Sequence, residues 1–285
     1  MSFERLCMKI ARSEALPVLP MAVLNLLRLF AQENVSSREL ANVIGEDAGL
    51  GIKVMKVANS PQFGTGQCEN IIRAINVIGV NRMKQIAVTL GYEQFTLEKS
   101  QAPEFKKKTF MEHCKVTATV AREIMVLINR SKQDNAYMIG LIHDVGFLAM
   151  DKHSPHELNQ SILAARVRHL SIVEGANQIC GYNHQMVSEK LAQSWKLAPY
   201  IRDAIKYLGS PESSEIDVEM SMVLAAAKAI ACEMGFPPIT GLEIEFSSEQ
   251  FFSKIDLTNE QMVDVVERAK IEFSLTEDPN TKKAA

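Results

Sequence analysis

Several features that would assign a protein to a class at once are missing from this sequence. No apolar run reaches the roughly 18 residues of a membrane-spanning helix, and the opening Met1-Ser2-Phe3-Glu4-Arg5 has no apolar core of an export signal. The five cysteines, Cys7, Cys68, Cys114, Cys180 and Cys232, stand singly, with no Cys-x-x-Cys pair for zinc or dithiol chemistry. An odd, scattered set fits reduced, packed thiols rather than a disulfide framework. The expectation is therefore a soluble, unexported, cytoplasmic protein.

Charge of one sign is also lacking. The chain has 31 basic against 34 acidic side chains, a formal net charge of -3, so it exerts no overall attraction on nucleic acid or acidic membranes. Internal repeats, low-complexity segments and alternating strand patterns do not occur.

What is present is helical periodicity over a chain that is 47% apolar, enough to bury a large core. Met21, Leu24, Leu27 and Leu29 show the spacing near the start, and Met262, Val265, Val266 and Ala269 near the end. Ser36 precedes Glu39 by three residues, and Thr258 precedes Gln261 likewise, so each pair can close a capping box at a helix start. Gly79 ends the series Ile71, Ile72, Ile75 and Ile78, where a helix terminus tolerates positive φ, and Asn81 restarts a helix. Asn59-Ser60-Pro61 through Gly64 reads as a turn, and Asp47 as the cap of a helix near Gly49 to Ala58. Further helices are expected over Phe110–Ile128, Gln133–Met150, Ile162–Arg168, Val187–Trp195, Val218–Met234, Ser248–Ile255 and Thr258–Phe273. The polar stretch 98–108, with Pro103, is the candidate linker.

The most informative stretch is Gly140-Leu141-Ile142-His143-Asp144-Val145-Gly146. An adjacent His-Asp pair offers imidazole nitrogen and carboxylate oxygen, two ligand types for a divalent cation. Alone the dipeptide is common and more often packed or exposed. Further residues stand with it in order: Leu16-Pro17-Val18-Leu19-Pro20, Leu40-Ala41 to Glu46-Asp47, Ala58-Asn59-Ser60, Ala74-Ile75 to Gly79, and then Glu174, Gly181, His184 and Trp195. That series resembles the HDOD family, the degenerate branch of the HD-domain phosphohydrolases, over roughly residues 10–235.

The resemblance implies an all-α, two-lobed helical bundle with an HD-domain-like C-terminal lobe. Residues 1–97 would form the N-terminal lobe, 98–108 the linker and 109–235 the HD-like lobe, followed by a helical extension over 236–275 and a flexible tail over 276–285. In the active relatives an upstream His, the His-Asp pair and a later Asp bind metal. Here the first three match His113, His143 and Asp144, whereas the last aligns within Ala227-Lys228-Ala229-Ile230-Ala231 to Lys228. An ammonium donates and cannot coordinate, and at an effective dielectric near 20 it would repel a nearby divalent cation by several kcal/mol. Lys228 either fills the vacancy and pairs with Asp144, or snorkels at the surface if the alignment slips. The family's His pair after Trp195 is replaced by Ala204-Ile205-Lys206-Tyr207-Leu208. His184 either lines the relic pocket or satisfies a helix terminus, and His153, His156 and His169 are expected to face solvent.

The resemblance implies a bacterial signal-transduction module, here as a stand-alone domain, that is not an enzyme. It would carry no cofactor or catalytic metal and would bind an unidentified signalling protein or small ligand, with homo-oligomerisation open. The rival reading is a metal-dependent phosphohydrolase acting on a nucleotide or cyclic dinucleotide, with Glu112, Glu174 or His184 replacing the missing ligand. Direct reading of DNA by the short N-terminal helices is disfavoured, since the would-be recognition helix offers only Lys53 and Lys56. Cys114 beside His113 faces away from it on a helix and reads as core.

Overall fold

The computed structural model describes residues 1–12, 19–30, 32, 34–63, 67–94, 98–242, 244–252 and 254–276. Leu16-Pro17-Val18, Gly64 and the expected tail beyond Thr276 lie outside the described residues. Among the described residues every regular element is helical.

The chain opens with α1 (Phe3–Arg12), and the first lobe holds α2 (Met21–Phe30), α3 (Ser37–Gly45), α4 (Ala48–Ala58), α5 (Ile71–Ile78) and α6 (Val80–Gln94). Local chemistry sets their ends. Ser36 and Glu39 form the reciprocal capping box of α3, Asp47 Oδ1 accepts from the Leu50 N–H at 2.9 Å to cap α4, and Gly79 closes α5 at φ 93°. Although counted with this lobe from sequence, α1 rests elsewhere: the Met1 ammonium meets Glu157 at 2.6 Å, and Phe3 packs on Tyr182 with ring centroids 5.6 Å apart.

The second lobe comprises α7 (Lys107–Ile128), α8 (Gln133–Ile142), α9 (Gly146–His153), α10 (Pro155–Arg168), α11 (Ile172–Cys180), α12 (His184–Ser194), α13 (Pro199–Lys206) and α14 (Val218–Glu233). A short α15 (Glu249–Phe252) and α16 (Asn259–Thr276) complete the chain. The Thr258–Gln261 capping box holds the start of α16. One apolar core runs through both lobes, from Leu26 and Leu40 through Phe110 and Ile142 to Val265. Polar links cross the junction: Gln85 donates to Asp134 at 2.8 Å, and Thr89 pairs with Tyr137 at 2.9 Å. From α16, Glu272 accepts from both Arg82 and Arg122. The C-terminal helix thus joins the two lobes.

Two expectations are corrected. The continuous helix over Gln133–Met150 is broken after Ile142 by a tight turn, with Val145 N–H bonded to Ile142 O at 3.1 Å and Phe147 N–H to Asp144 O at 3.0 Å. These three-residue spacings end the four-residue ladder. His153 is half-buried rather than exposed, because Lys9 of α1 reaches over it to donate to its carbonyl; His156 and His169 are exposed.

The polar stretch over 98–106 is tied down. The buried Asp151 carboxylate accepts from Ser100 Oγ and from the Gln101 and Ala102 N–H groups at 2.7–2.9 Å, and pairs with Lys107 at 3.2 Å. Ala102 and Phe105 are buried beside it.

Candidate functional site

The turn between α8 and α9 places His143 and Asp144 in the middle of the second lobe. Around them stand His113 from the centre of α7, His184 from the first turn of α12 and Lys228 from α14. All five are buried, with relative exposures of 3% for Lys228, 1% for His184 and 0% for the others. Sequence positions more than a hundred residues apart thus converge on one carboxylate.

Hydrogen bonds fix the two inner imidazoles. His113 Nδ1 lies 2.7 Å from Phe236 O and His143 Nδ1 2.8 Å from Gly140 O. A carbonyl oxygen only accepts, so each Nδ1 carries a proton, and in His113, whose ring is neutral, Nε2 is left bare. The two Nε2 atoms sit 3.3 Å apart, and from Asp144 Oδ2 they are 3.7 Å (His113) and 3.1 Å (His143). A carboxylate and a bare imidazole nitrogen held in a dry interior need positive charge beside them. Lys228 Nζ supplies it, 3.2 Å from Asp144 Oδ2 and 3.4 Å from Oδ1.

His184 Nε2 approaches Asp144 Oδ1 at 3.3 Å, yet neither of its ring nitrogens has hydrogen-bond geometry. The ring stacks on Phe147 with centroids 3.9 Å apart and planes 13° apart. Asp144 Oδ2 likewise has close charges but no aligned donor.

The charges follow this geometry. Burial would raise the pKa of Asp144, but His143, Lys228 and His184 outweigh it and hold the carboxyl well below its ordinary range. Burial would also strip the proton from Lys228; Asp144 and then Glu245 oppose it and keep the ammonium charged above its ordinary range. Burial, with the neighbouring His143, pushes His113 down from 6.5 to about 3, so its ring stays neutral in the fold.

The His113 shift carries a pH consequence. A histidine whose folded pKa is depressed contributes stability above its unfolded pKa, and that contribution is lost as pH falls toward the folded value, because only the unfolded chain takes up the proton. Its share is expected to fall by about 2 kcal/mol from about pH 6.5 to about pH 5. Urea denaturation at both pH values should show this extra loss in the wild type and not in His113→Asn.

Whether the donor set fits a metal can be tested on the same distances. His113 Nε2, His143 Nε2 and Asp144 Oδ2 all lie within 4.8 Å of one another, with separations of 3.1, 3.3 and 3.7 Å. Bonds of 2.0–2.2 Å in a tetrahedral arrangement put ligand atoms about 3.4 Å apart, so the triangle itself is well shaped. The charge is not. Lys228 Nζ is already on Oδ2, and a divalent cation about 4 Å from an ammonium is opposed by about 8 kcal/mol at an effective dielectric of about 20. With Lys228 charged, the residues present do not fit a divalent metal.

The proposed replacement ligands divide. His184 is at the cluster, but Glu174 is spent on the capping box of α11, accepting from the Ser171 N–H and Oγ at 2.9 Å. Glu112 lies on α7 within 3.9 Å of Lys108. Cys114 is wholly buried, and burial pushes its thiol well above the ordinary value, which suits packing rather than nucleophilic attack.

Sequence reasoning missed Glu245 and Gln185. Glu245 Oε2 lies 3.4 Å from Lys228 Nζ and accepts from Gln185 Nε2 at 2.9 Å. Glu245 is on the irregular segment between α14 and α15, where no helical spacing marks it. An acidic residue between Ile244 and Phe246 was the available signal.

A model of the HDOD domain matches residues 16–211. No curated protein matches the sequence. Among solved structures, the chain is similar to an HDOD domain protein of unknown function from Geobacter sulfurreducens, with a TM-score of 0.73 and 20% identity, covering 93% of this chain and 87% of that one. A protein from Marinobacter aquaeolei provisionally described as acting in signal transduction gives 0.71 and 18% identity; the match covers 92% of this chain and 59% of that one. A provisionally described phosphohydrolase from Shewanella amazonensis gives 0.64 and 19%, covering 93% and 97%. At these identities the likeness establishes the fold. Among the described residues no helix is long and apolar enough to cross a membrane.

Proposed function

The chain belongs to the HDOD domain family, and from that premise we propose that it is a non-enzymatic regulatory module acting through a protein or small-molecule ligand. The observation that carries this reading is the buried Lys228–Asp144 pair at 3.2 Å. It places a fixed positive charge against the oxygen that a catalytic cation would need, and of the candidate replacement ligands only His184 lies at the cluster. A hydrolase of the metal-dependent kind needs an ion to polarise phosphate and lower the pKa of water. The site instead supplies its own counter-charge.

The second reading, a metal-dependent phosphohydrolase, is favoured by the 3.1–3.7 Å donor triangle alone. Elemental analysis separates the two. Protein purified without chelators or a metal-binding tag is expected to hold far less than one equivalent of manganese, iron, zinc or nickel. Lys228→Asp, which restores a carboxylate and removes the repulsion, is expected to gain metal toward one equivalent. A stoichiometric ion in the wild type, with hydrolysis of a phosphodiester, would overturn the regulatory reading.

A further inference from the structure

The segment between α14 and α15 closes over the buried cluster as a strap. It is anchored at both ends: Phe236 O accepts from His113 Nδ1 at 2.7 Å, and the Ser248 N–H and Oγ donate to Glu233 at 2.8 and 2.6 Å. Ile239 is buried along it. Between the anchors the Glu245 side chain, only 10% exposed, turns inward to Lys228 and Gln185. A small space of ≈ 30 Å³, room for about one water, remains beside Lys228, Cys232, Ile172 and Leu242.

The charge count there is uneven. Asp144 and Glu245 bring two carboxylates to one ammonium. Glu245 is carried by the irregular strap, whereas Lys228 and Gln185 stand on helices.

We propose that Lys228 Nζ and Gln185 Nε2 form a carboxylate-binding subsite that the chain's own Glu245 occupies, and that a small organic carboxylate displacing Glu245 is the ligand this site takes. Exchange of one carboxylate for another conserves charge and both donor contacts, so the difference between closed and open strap is small. The strap's position would then report ligand concentration. This inference rests on the reading that Lys228, and not a metal, balances Asp144.

Chemical complementation tests it. Glu245→Ala removes the carboxylate and its γ-methylene while leaving Lys228 and Gln185, and acetate is the probe. Thermal unfolding of this variant in acetate, against chloride at matched ionic strength, is expected to show a saturable rise of roughly 3–5 °C at about tenfold excess over the dissociation constant. Glu245→Gln keeps the space filled and should show no acetate-specific rise, while the wild type should show a smaller rise at higher acetate, because there the anion must first displace Glu245. Should the alanine variant fold poorly, Glu245→Ser with formate repeats the test in a smaller void. No carboxylate-specific rise in the truncated variants, or an equal rise in Glu245→Gln, overturns the subsite. Metal content measured on the wild-type sample keeps the outcomes apart: bound metal would sink the regulatory reading, whereas metal-free protein without carboxylate recovery would sink this subsite alone.

Discussion

Lys228→Met is expected to destabilise the protein by about 3–5 kcal/mol at neutral pH, the cost typical of removing one partner of a buried ion pair. Methionine preserves most of the apolar stem, so packing in α14 is nearly retained and the loss isolates the charge. Asp144 and Glu245 are then left in the interior without the ammonium that they share. An exposed pair broken in the same way costs at most about 1 kcal/mol. A shift in urea midpoint at unchanged slope measures the difference. The deficit should narrow as pH falls, because protonating the abandoned carboxylates relieves the repulsion. Adding Asp144→Asn should recover part of it, since the two changes share one interaction. A loss below about 1 kcal/mol would mean that the ammonium is solvated and does not hold the cluster together.

That Lys228 lies in the interior was readable from its helix, which is apolar on nearly every face, but its partner was not. Asp144 is 84 positions away, and only the resemblance to HD-type proteins joined the two in one argument. Where the chemistry is local, the sequence was sufficient. The Ser36–Glu39 and Thr258–Gln261 boxes and the Gly79 terminus each involve residues within a few positions, and the structure places each as its spacing predicts. The same rule read more widely would have caught Ser171 and Glu174, which open α11 as a capping box, and so removed Glu174 from the ligand candidates. Glu245 had no comparable mark, because irregular backbone carries no periodicity. The break between α8 and α9 was hidden for a different reason. Ile139, Ile142, Phe147 and Met150 remain apolar across it, and α12 comes close against Gly146 just beyond the break, an approach that no local pattern encodes.

That approach leads to the second large effect. At Gly146 a Cβ would stand 2.0 Å from His184 O and 2.9 Å from both the N and Oγ of Ser188. Real Cβ contacts are never so short, and the main obstacle is backbone, so α9 and α12 must separate. Overpacking usually costs 1–3 kcal/mol, and loss of the 2.8 Å bond from Gly146 N–H to Ser188 Oγ adds about 1. Against this, alanine gains about 1 kcal/mol over glycine in a helix. Gly146→Ala is therefore expected to lose about 2 kcal/mol in chemical denaturation. Gly45→Ala provides the contrast: at the end of α3 nothing lies within 4 Å of the added methyl, and stability should hold or rise slightly. The separation would also move His184, the first residue of α12, away from Asp144, so the histidine resonances of the variant should shift even where it remains folded. If Gly146→Ala matched the wild type in stability, the two helices could not be in the contact that seats His143, Asp144 and His184 together, and the buried cluster would have to be assembled some other way.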